Sequence, residues 1–392
     1  MKVLMVSDVY PPLIGGQERE IQLLSEGICK KGHQASVCTL SHGASPSTKK
    51  ENGVKVFRIE SIYSQIPYLH LDPNRRFHPP IADPLVTMTL KKIIETETPD
   101  IIHAHGWMLY SVLPLEKKYR IPLCVTFHDY GFVCPCRCSP LHPGGVCDEP
   151  LASLQQCLSC GKNAYGSVKC LLPYYFLRLN RKFACDIMIF TDPNILTKMN
   201  CLELKKMYLE HPIDSDEHRP IRTEVYKNRI LIWAKLERIK GIDTIFEVAQ
   251  LLPQYQFDAI DAGVDKEYYK ARKPHNVALL PKLRPKETPG LINRYPLIIG
   301  QFSAGTLGHS ELEAMSCGKP VVAYWDRQYD RFYDEECPIL GSKNIKEIVD
   351  VMESNIGNYA LGRTNRLWIL KYHDSLKVAE KLLKVYETLL HR

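Results

Sequence analysis

The sequence predicts an α/β protein built as two Rossmann-like domains, each a doubly wound, mostly parallel sheet, facing a central cleft. Three observations lead to this class. Short β-branched runs alternate with stretches of helical period along the whole chain, the pattern of strand–helix–strand units. The alternation breaks once, at the Pro- and charge-rich stretch HPIDSDEHRPIRTE (211–224), and then begins again in the same way. A length of 392 residues also exceeds what one ordinary core holds and suits two domains.

The elements follow in order. KVLMVS reads as the first strand, and DVYPPLIGG leads from it into a helix whose Ile21, Leu24 and Ile28 share one face. QASVCTL, VKVFRI, DIIHAHG, PLCVTFH and DIMIFT read as further strands, with helices near 84–97 and 172–184. Residues 131–170 break the rhythm with Pro, Gly and Cys and read as an insertion. The first domain is therefore placed at 1–210 and the linker at 211–224. RILIWA, FDAIDAG, NVALLP, PLIIGQF and PVVAYW are the strands of a second domain at 225–357. Residues 358–392 read as two helices with no strand to join, free to pack back across the domains. The carboxyl ends of both sheets are where ligands of such folds sit.

Composition, at 45% apolar and 24% charged residues, is that of a soluble globular chain. No apolar run approaches the roughly 18 residues of a membrane span, and the N-terminus does not read as a signal peptide, so a cytoplasmic protein is expected. The net charge of +7 lies mostly in the first half: residues 1–207 hold 24 basic against 18 acidic groups, leaving 27 against 26 beyond. That imbalance suits an anionic membrane or an acidic ligand as well as an ordinary surface. The stretch LLPYYFLRLNRKFAC mixes aromatics with Arg178, Arg181 and Lys182, either as an interfacial helix or as a core-facing helix with snorkelling bases. No nucleic-acid partner is expected.

Fourteen cysteines are many for a reducing compartment, and seven of them fall between 134 and 170. Cys157-Leu-Ser-Cys160 has the two-residue gap that presents two thiolates to one tetrahedral zinc, and Cys147 with one of the first three could complete the set. Free thiols and a redox role are the alternatives. Asp214-Ser215-Asp216 mimics a metal-binding D-x-D but lies in the linker, and is read as a decoy.

The second glycine-rich segment, SAGTLGHSELEAMSCGKPVV (303–322), runs into a helix whose N-terminus attracts an anion. Lys235 and Lys240 follow the first strand of the second half and could clamp a diphosphate; solvated surface lysines are the plainer alternative. Gly15-Gly16 allows close backbone approach to a ligand, although it is no dinucleotide fingerprint. His103, His105 and His128 end strands, where a doubly wound fold keeps its chemistry.

Taken in order, VYPPLIGGQEREIQLLSEGICKKGHQASVCTL, PDIIHAHG, VTFHDY, LEHPIDSDEHRPI, AKLERIKGID and HSELEAMSCGKPVVA resemble the landmarks of retaining GT-B glycosyltransferases of family 4. Similar proteins carry an insertion after HDY with cysteines resembling Cys134, Cys147, Cys157 and Cys160, the set taken here for a structural zinc. The resemblance implies a donor nucleotide sugar, of UDP or GDP type, held mainly by the C-terminal domain. Glu313 would accept from the ribose hydroxyls, Lys235 and Lys240 would hold the diphosphate, and the amides around Thr306, Leu307, Gly308 and His309 would cap the distal phosphate. Gly15 and Gly16 would close over the same phosphates, and His128 would lie near the transferred sugar, with His103 and His105 on the acceptor side. The acceptor would be a glycan, a lipid-linked glycan or a small molecule, and catalysis would need no metal, because lysines and a helix N-terminus stabilise the leaving diphosphate. The enzyme would work in the cytoplasm or at the cytoplasmic face of the membrane.

Three positions depart from the family. Its donor-sugar glutamate is Gly305 here, its diphosphate arginine is Lys235, and the glutamate of its EKG motif is Ile239. Thr306, His309 and Glu311 are candidate substitutes for the first. These departures keep a second reading open, a non-catalytic GT-B scaffold or regulator of a partner glycosyltransferase.

Overall fold

A computed structural model describes all residues except 43, 67–76, 138–152, 166–168, 181–182, 199–203 and 392, and no side chain at 163–165 or 198. The chain forms two compact units. Residues 1–210 and 378–392 make the first, and residues 211–377 the second.

The first unit is an eight-stranded sheet. Its elements are β1 (Lys2–Ser7), α1 (Gly16–Lys30), β2 (Gln34–Leu40), β3 (Ser47–Glu51), β4 (Val54–Ile59), α2 (Pro84–Glu97) and β5 (Ile101–His105). They continue with α3 (Leu109–Tyr119), β6 (Leu123–Phe127), α4 (Leu154–Tyr165), α5 (Leu171–Leu179), β7 (Ile187–Phe190), α6 (Pro193–Lys198) and β8 (Lys206–Tyr208). The strand order is β3-β4-β2-β1-β5-β6-β7-β8, with every pair parallel except β3–β4.

Why β1 is apolar at nearly every position follows from the layers. Leu4 and Val6 pack under Leu90 of α2 and Val112 of α3, whereas Val3 and Met5 pack under Ile21, Leu24 and Ile28 of α1. Successive side chains of a strand point to opposite faces, so a sheet covered on both sides admits no polar alternation. Pro84 at the first position of α2 and the Asp83 carboxylate, which accepts from the amides of Leu85 and Val86, fix that helix's start.

The second unit is a five-stranded, all-parallel sheet in the order β11-β10-β9-β12-β13. Its elements are β9 (Arg229–Ile232), α7 (Ile242–Leu251), β10 (Gln256–Ile260), α8 (Lys266–Lys270), β11 (Val277–Leu280), α9 (Thr288–Ile292) and β12 (Ile298–Ile299). Then come α10 (His309–Ser316), β13 (Val321–Val322), α11 (Ile345–Asn355), α12 (Tyr359–Tyr372) and α13 (Ser375–Leu390). Ile230 and Ile232 face α7 and α11, and Leu231 and Ile298 face α10 and α12. One charged residue sits mid-strand: the fully buried Asp258 is paired with Arg229 at 2.5 and 2.6 Å and accepts from the Tyr295 hydroxyl at 2.8 Å. A buried carboxylate is tolerable only with that degree of satisfaction.

Residues 211–218, expected as the start of a linker, pack on this second unit. Ile213 joins its core, Ser215 and His218 are buried, and the Arg366 guanidinium donates to the carbonyls of Ser215, His218 and Ser316. Asp214 accepts from the amides of Asp216 and Glu217, the job of a turn residue. The last helix changes allegiance along its length. Val378, Leu382, Leu383, Tyr386 and Leu389 of α13 fill the first unit's core beside Met5 and Ile28.

Candidate functional site

In the first unit, polar residues gather at the carboxyl ends of β1, β5 and β6. His103, on β5, is wholly buried; its Nδ1 meets the Tyr386 hydroxyl at 2.6 Å and its Nε2 the Thr126 hydroxyl at 2.7 Å. Both nitrogens are thereby occupied, so in this arrangement the ring offers none to a ligand. Burial pushes its pKa down to about 3. His105 ends β5, its ring 4.2 Å from that of His103 and tilted by 33°, and its Nδ1 lies 3.0 Å from Nε2 of His128, just beyond β6. Burial, with the neighbouring imidazoles, holds His105 well below the usual histidine value. The Nδ1 of His128 faces Oε1 of Glu20 at 3.4 Å. Gly15 is the N-cap of α1 and Gly16 its first residue, so no side-chain oxygen caps the first-turn amides from that position.

Beside this chain of rings, Asp8 follows β1 and is fully buried. Its Oδ1 accepts from the Met108 amide at 2.9 Å, and its Oδ2 lies 3.8 Å from Nη1 of Arg137. Burial raises its pKa to about 7 against the pull of Arg137. Arg137 is itself clamped: Nε and Nη2 reach Oδ2 of Asp129 at 2.8 and 2.7 Å, and the guanidinium lies over Phe77 at 3.7 Å and Trp107 at 5.0 Å.

In the second unit one connected network joins the two loops singled out in the sequence. Nζ of Lys240 donates to Oε1 of Gln301 at 3.0 Å, and Nε2 of Gln301 donates to the Thr306 carbonyl at 2.7 Å. Glu311 is buried and accepts from the amides of Gln301 and Gly308, both at 2.9 Å. Burial raises its pKa. Its two oxygens brace the loop and cap α10, so it is not available as a substitute for the family glutamate. Gly241, at φ +73, lets the Lys240 loop pass tight against Phe302 and Ser303; a Cβ there would come within 3.1 Å of both.

Leu307 is buried, His309 opens α10 with its ring 4.9 Å from that of His211, and Glu313 stands one turn further on, 3.8 Å from His218. Lys235 is exposed beyond β9. Gly305 has φ +70, and a Cβ would meet Tyr324 at 2.8 Å and Asp326 at 3.1 Å. A glutamate at 305 would need both a left-handed backbone and room that Tyr324 occupies.

The cysteines of the insertion are brought together in part. Cys134, Cys136 and Cys170 share a small apolar cluster with Trp107, Tyr110 and Leu177, and Cys160 packs against it. The thiols of Cys136 and Cys170 both donate to the Cys157 carbonyl, at 3.8 and 3.2 Å. A hydrogen bond from Cys136 lowers the Cys170 pKa. Cys147 lies outside the described residues, as do Arg181 and Lys182.

Sequence reasoning missed Asp8, Glu20, Arg137 and Gln301. Glu20 did leave a signal: it stands four residues before Leu24 and eight before Ile28, a charge on the apolar stripe of its helix.

Two parallel-sheet units with loops of this kind define the GT-B class of glycosyltransferase fold. Sucrose-phosphate synthase from Thermosynechococcus elongatus superposes over 100% of both chains with a TM-score of 0.71 at 13% identity. Anabaena HepE superposes over 99% of this chain and 100% of its own with a TM-score of 0.65 at 16% identity. Residues 14–191 match the family model described as Glycosyltransferase Family 4. An uncharacterized glycosyltransferase of Methanocaldococcus jannaschii is 29% identical over 341 residues, 82% of this chain and 80% of that one. An uncharacterized 42.6 kDa protein in the cps region of Klebsiella pneumoniae is 27% identical over 143 residues, which span 34% of this chain but only 38% of that protein's length. The chain thus has the GT-B fold, and its first unit is similar to family-4 glycosyltransferases.

Burial acts on the first unit's titratable groups in opposite senses. His78, held by Ser111 and the Pro79 carbonyl, is pushed down to about 4 and His103 to about 3. Unfolded, both take up a proton near 6.5, so acid favours the unfolded chain as pH falls below that value. Asp8 is the reverse: its folded value of about 7 lies above the unfolded 3.8, so acid favours the folded state between the two. Each group contributes a slope of about 1.4 kcal/mol per pH unit within its window. Asp8→Asn removes only the opposing slope. Urea denaturation should therefore show the variant losing more stability than wild type between about pH 7 and about pH 5; equal losses would show that Asp8 is not held protonated in the fold.

Proposed function

We propose that this protein moves a sugar from a nucleoside diphosphate sugar to a glycan, lipid-linked or small-molecule acceptor, with retention of anomeric configuration and without a catalytic metal. The observation that carries the reading is the second unit's network, in which a lysine is tied through Gln301 to a glycine-rich loop ending at a helix N-terminus. A cation beside helix-terminal amides is suited to a phosphate, and to the charge that gathers on a diphosphate as it leaves. Lys235 and Lys240 would take that charge, the amides of Thr306, Leu307, Gly308 and His309 the distal phosphate, and Glu313 the ribose hydroxyls. His128 would serve the transferred sugar. Donor-sugar choice would lie around Gly305, where Tyr324 and Asp326 occupy the space a longer residue would need. Solved proteins of the same fold support a nucleotide donor: HepE is described in complex with UDP-glucose and starch synthase IV of Arabidopsis thaliana bound to ADP and acarbose.

Two further elements belong to the proposal. A structural zinc would be held by Cys134, Cys157 and Cys160 with Cys147, bracing the insertion. Helix α5 would rest on a cytoplasmic anionic membrane surface: Leu172, Tyr175 and Leu179 are 44%, 48% and 79% exposed along one side, with Arg178 beside them. Among the described residues, no helix is long and apolar enough to cross a membrane.

Calorimetry over UDP-, GDP- and ADP-sugars should find at least one bound, and Glu313→Ala should weaken that binding roughly tenfold, the loss of hydrogen bonds to a charged group. Binding of none would remove the reading; binding without any turnover would favour the scaffold. Mass spectrometry of the purified chain should find one zinc, lost in Cys160→Ser, and a zinc-free wild type would end that part of the proposal. At low salt the protein should float with anionic liposomes and Leu179→Glu should not; wild type that stays with the soluble fraction would refute the membrane contact.

A further inference from the structure

Part of the basic surplus of residues 1–207 gathers at the amino end of the first sheet, the end opposite the histidines. There the starts of β1, β2 and β4, the β3–β4 hairpin and the last turn of α1 line a cavity of about 650 Å³. Lys2, Lys49, Lys50 and Lys55 stand on its wall, and among the described residues Glu97 is the one acid there. Four cations against one carboxylate leave three positive charges in excess. The six residues of β1 separate this cavity from Asp8 by roughly 20 Å, at about 3.3 Å per residue. It is therefore not an extension of the site at the carboxyl ends.

The fold itself crowds these cations. Nζ of Lys55 meets Oε1 of Glu97 at 2.6 Å, and Nζ of Lys2 donates to the Glu97 carbonyl at 3.2 Å and the Thr98 hydroxyl at 3.0 Å. One residue thus draws two ammonium groups to the same place. The antiparallel register of β3 and β4 then sets Lys50 directly opposite Lys55. Like charges facing each other across a strand pair are destabilising. Glu97 pairs with Lys55, whereas Lys49 and Lys50 form no ion pair among the described residues. The repulsion is relieved when an anion enters the cavity.

We propose that this cavity is a second anion site, taking the phosphate group of a phosphate monoester. Ammonium groups only donate, so the ligand must be rich in acceptors, and the Thr48 hydroxyl on the same wall can donate as well. The excess of three charges favours a dianion over chloride or a single carboxylate. Lysine binds phosphate as a point charge, and lysines from β1, β3 and β4 can share one phosphate's oxygens. The ester is either a free phosphorylated compound or a lipid headgroup. The site belongs to the first unit alone and does not depend on the reading of Lys235 and Lys240 in the second.

The test is acetylation of the full chain by acetic anhydride, read lysine by lysine by mass spectrometry. Glycerol phosphate at about 10 mM should slow acetylation of Lys49 and Lys50 roughly threefold or more against sodium chloride of equal ionic strength. The exposed Lys162 and Lys346, away from the cavity, should not change. A second arm uses vesicles of phosphatidic acid, compared with phosphatidylserine vesicles of equal charge. Protection by the soluble ester assigns the site to a free phosphorylated compound, and protection by phosphatidic acid alone assigns it to a headgroup. Lys50→Glu, on an exposed edge strand, should keep the fold and abolish the protection of Lys49, and Lys50→Arg should retain it. Protection by neither probe overturns the proposal, as does protection of Lys49 that survives in Lys50→Glu. Because the readout is resolved by residue, phosphate bound at Lys235 or Lys240 does not enter it.

Discussion

The first sheet is closed on one face by α1 and the last helix and on the other by α2 and α3, and the cost of burying polar groups between those layers orders the rest of the unit. Strands in such a sheet are apolar on both sides, so polar side chains are pressed towards the carboxyl ends, where the backbone turns out of the ladder. Asp8, His105, His128 and Asp129 all lie within a residue or two of such an end. Among the buried ones, Tyr386, His103 and Thr126 form one hydrogen-bonded chain, and His128 bonds His105. Mid-strand polar residues obey the same constraint, as Asp258 shows with its arginine and tyrosine.

The second unit solves a different problem, holding an irregular glycine loop still. Loops carry amides that need partners, and a loop meant to face an anion cannot satisfy all of them internally. Glu311 resolves this by bonding inward to Gln301 and Gly308 while the helix it belongs to begins one residue later. Gln301 then passes the order on to Lys240. A single buried acid thus sets the loop, the helix start and, through one amide side chain, the position of the cation. Glu313, two residues on, sits on a different side of the same helix and is only partly covered.

Much of the fold was legible because periodicity is strong where burial is strong. The helix expected near 84–97 has those bounds, and the parallel strands were read from their β-branched runs. Two strands escaped. STKKE of β3 is a polar antiparallel edge strand, and KMY of β8 spans three residues, too few for any period to show. The candidate site was legible only as strand ends and glycine loops. Which groups meet there depends on chain segments far apart in sequence: Arg137 reaches Asp8, and Tyr386 reaches His103. Gln301 looked like the end of a strand, and nothing local told that its amide would join two loops. Glu20 could have been found, since a charge in phase with Leu24 and Ile28 must be answered by something buried.

The last helix gives the molecule a temporal order. Its Val378, Leu382 and Tyr386 complete a core whose other residues lie before 210, while everything from 211 to 377 belongs to the other unit. On the ribosome, residues 1–210 therefore wait for residues 378–392, which follow the whole second unit. The second unit emerges whole while the first still lacks one wall, exposing Met5, Ile21 and Ile28 until Tyr386 arrives to cover them and bind His103. The bond from Tyr386 to His103 forms only when that wall closes, so residues 1–210 become competent after the unit that follows them.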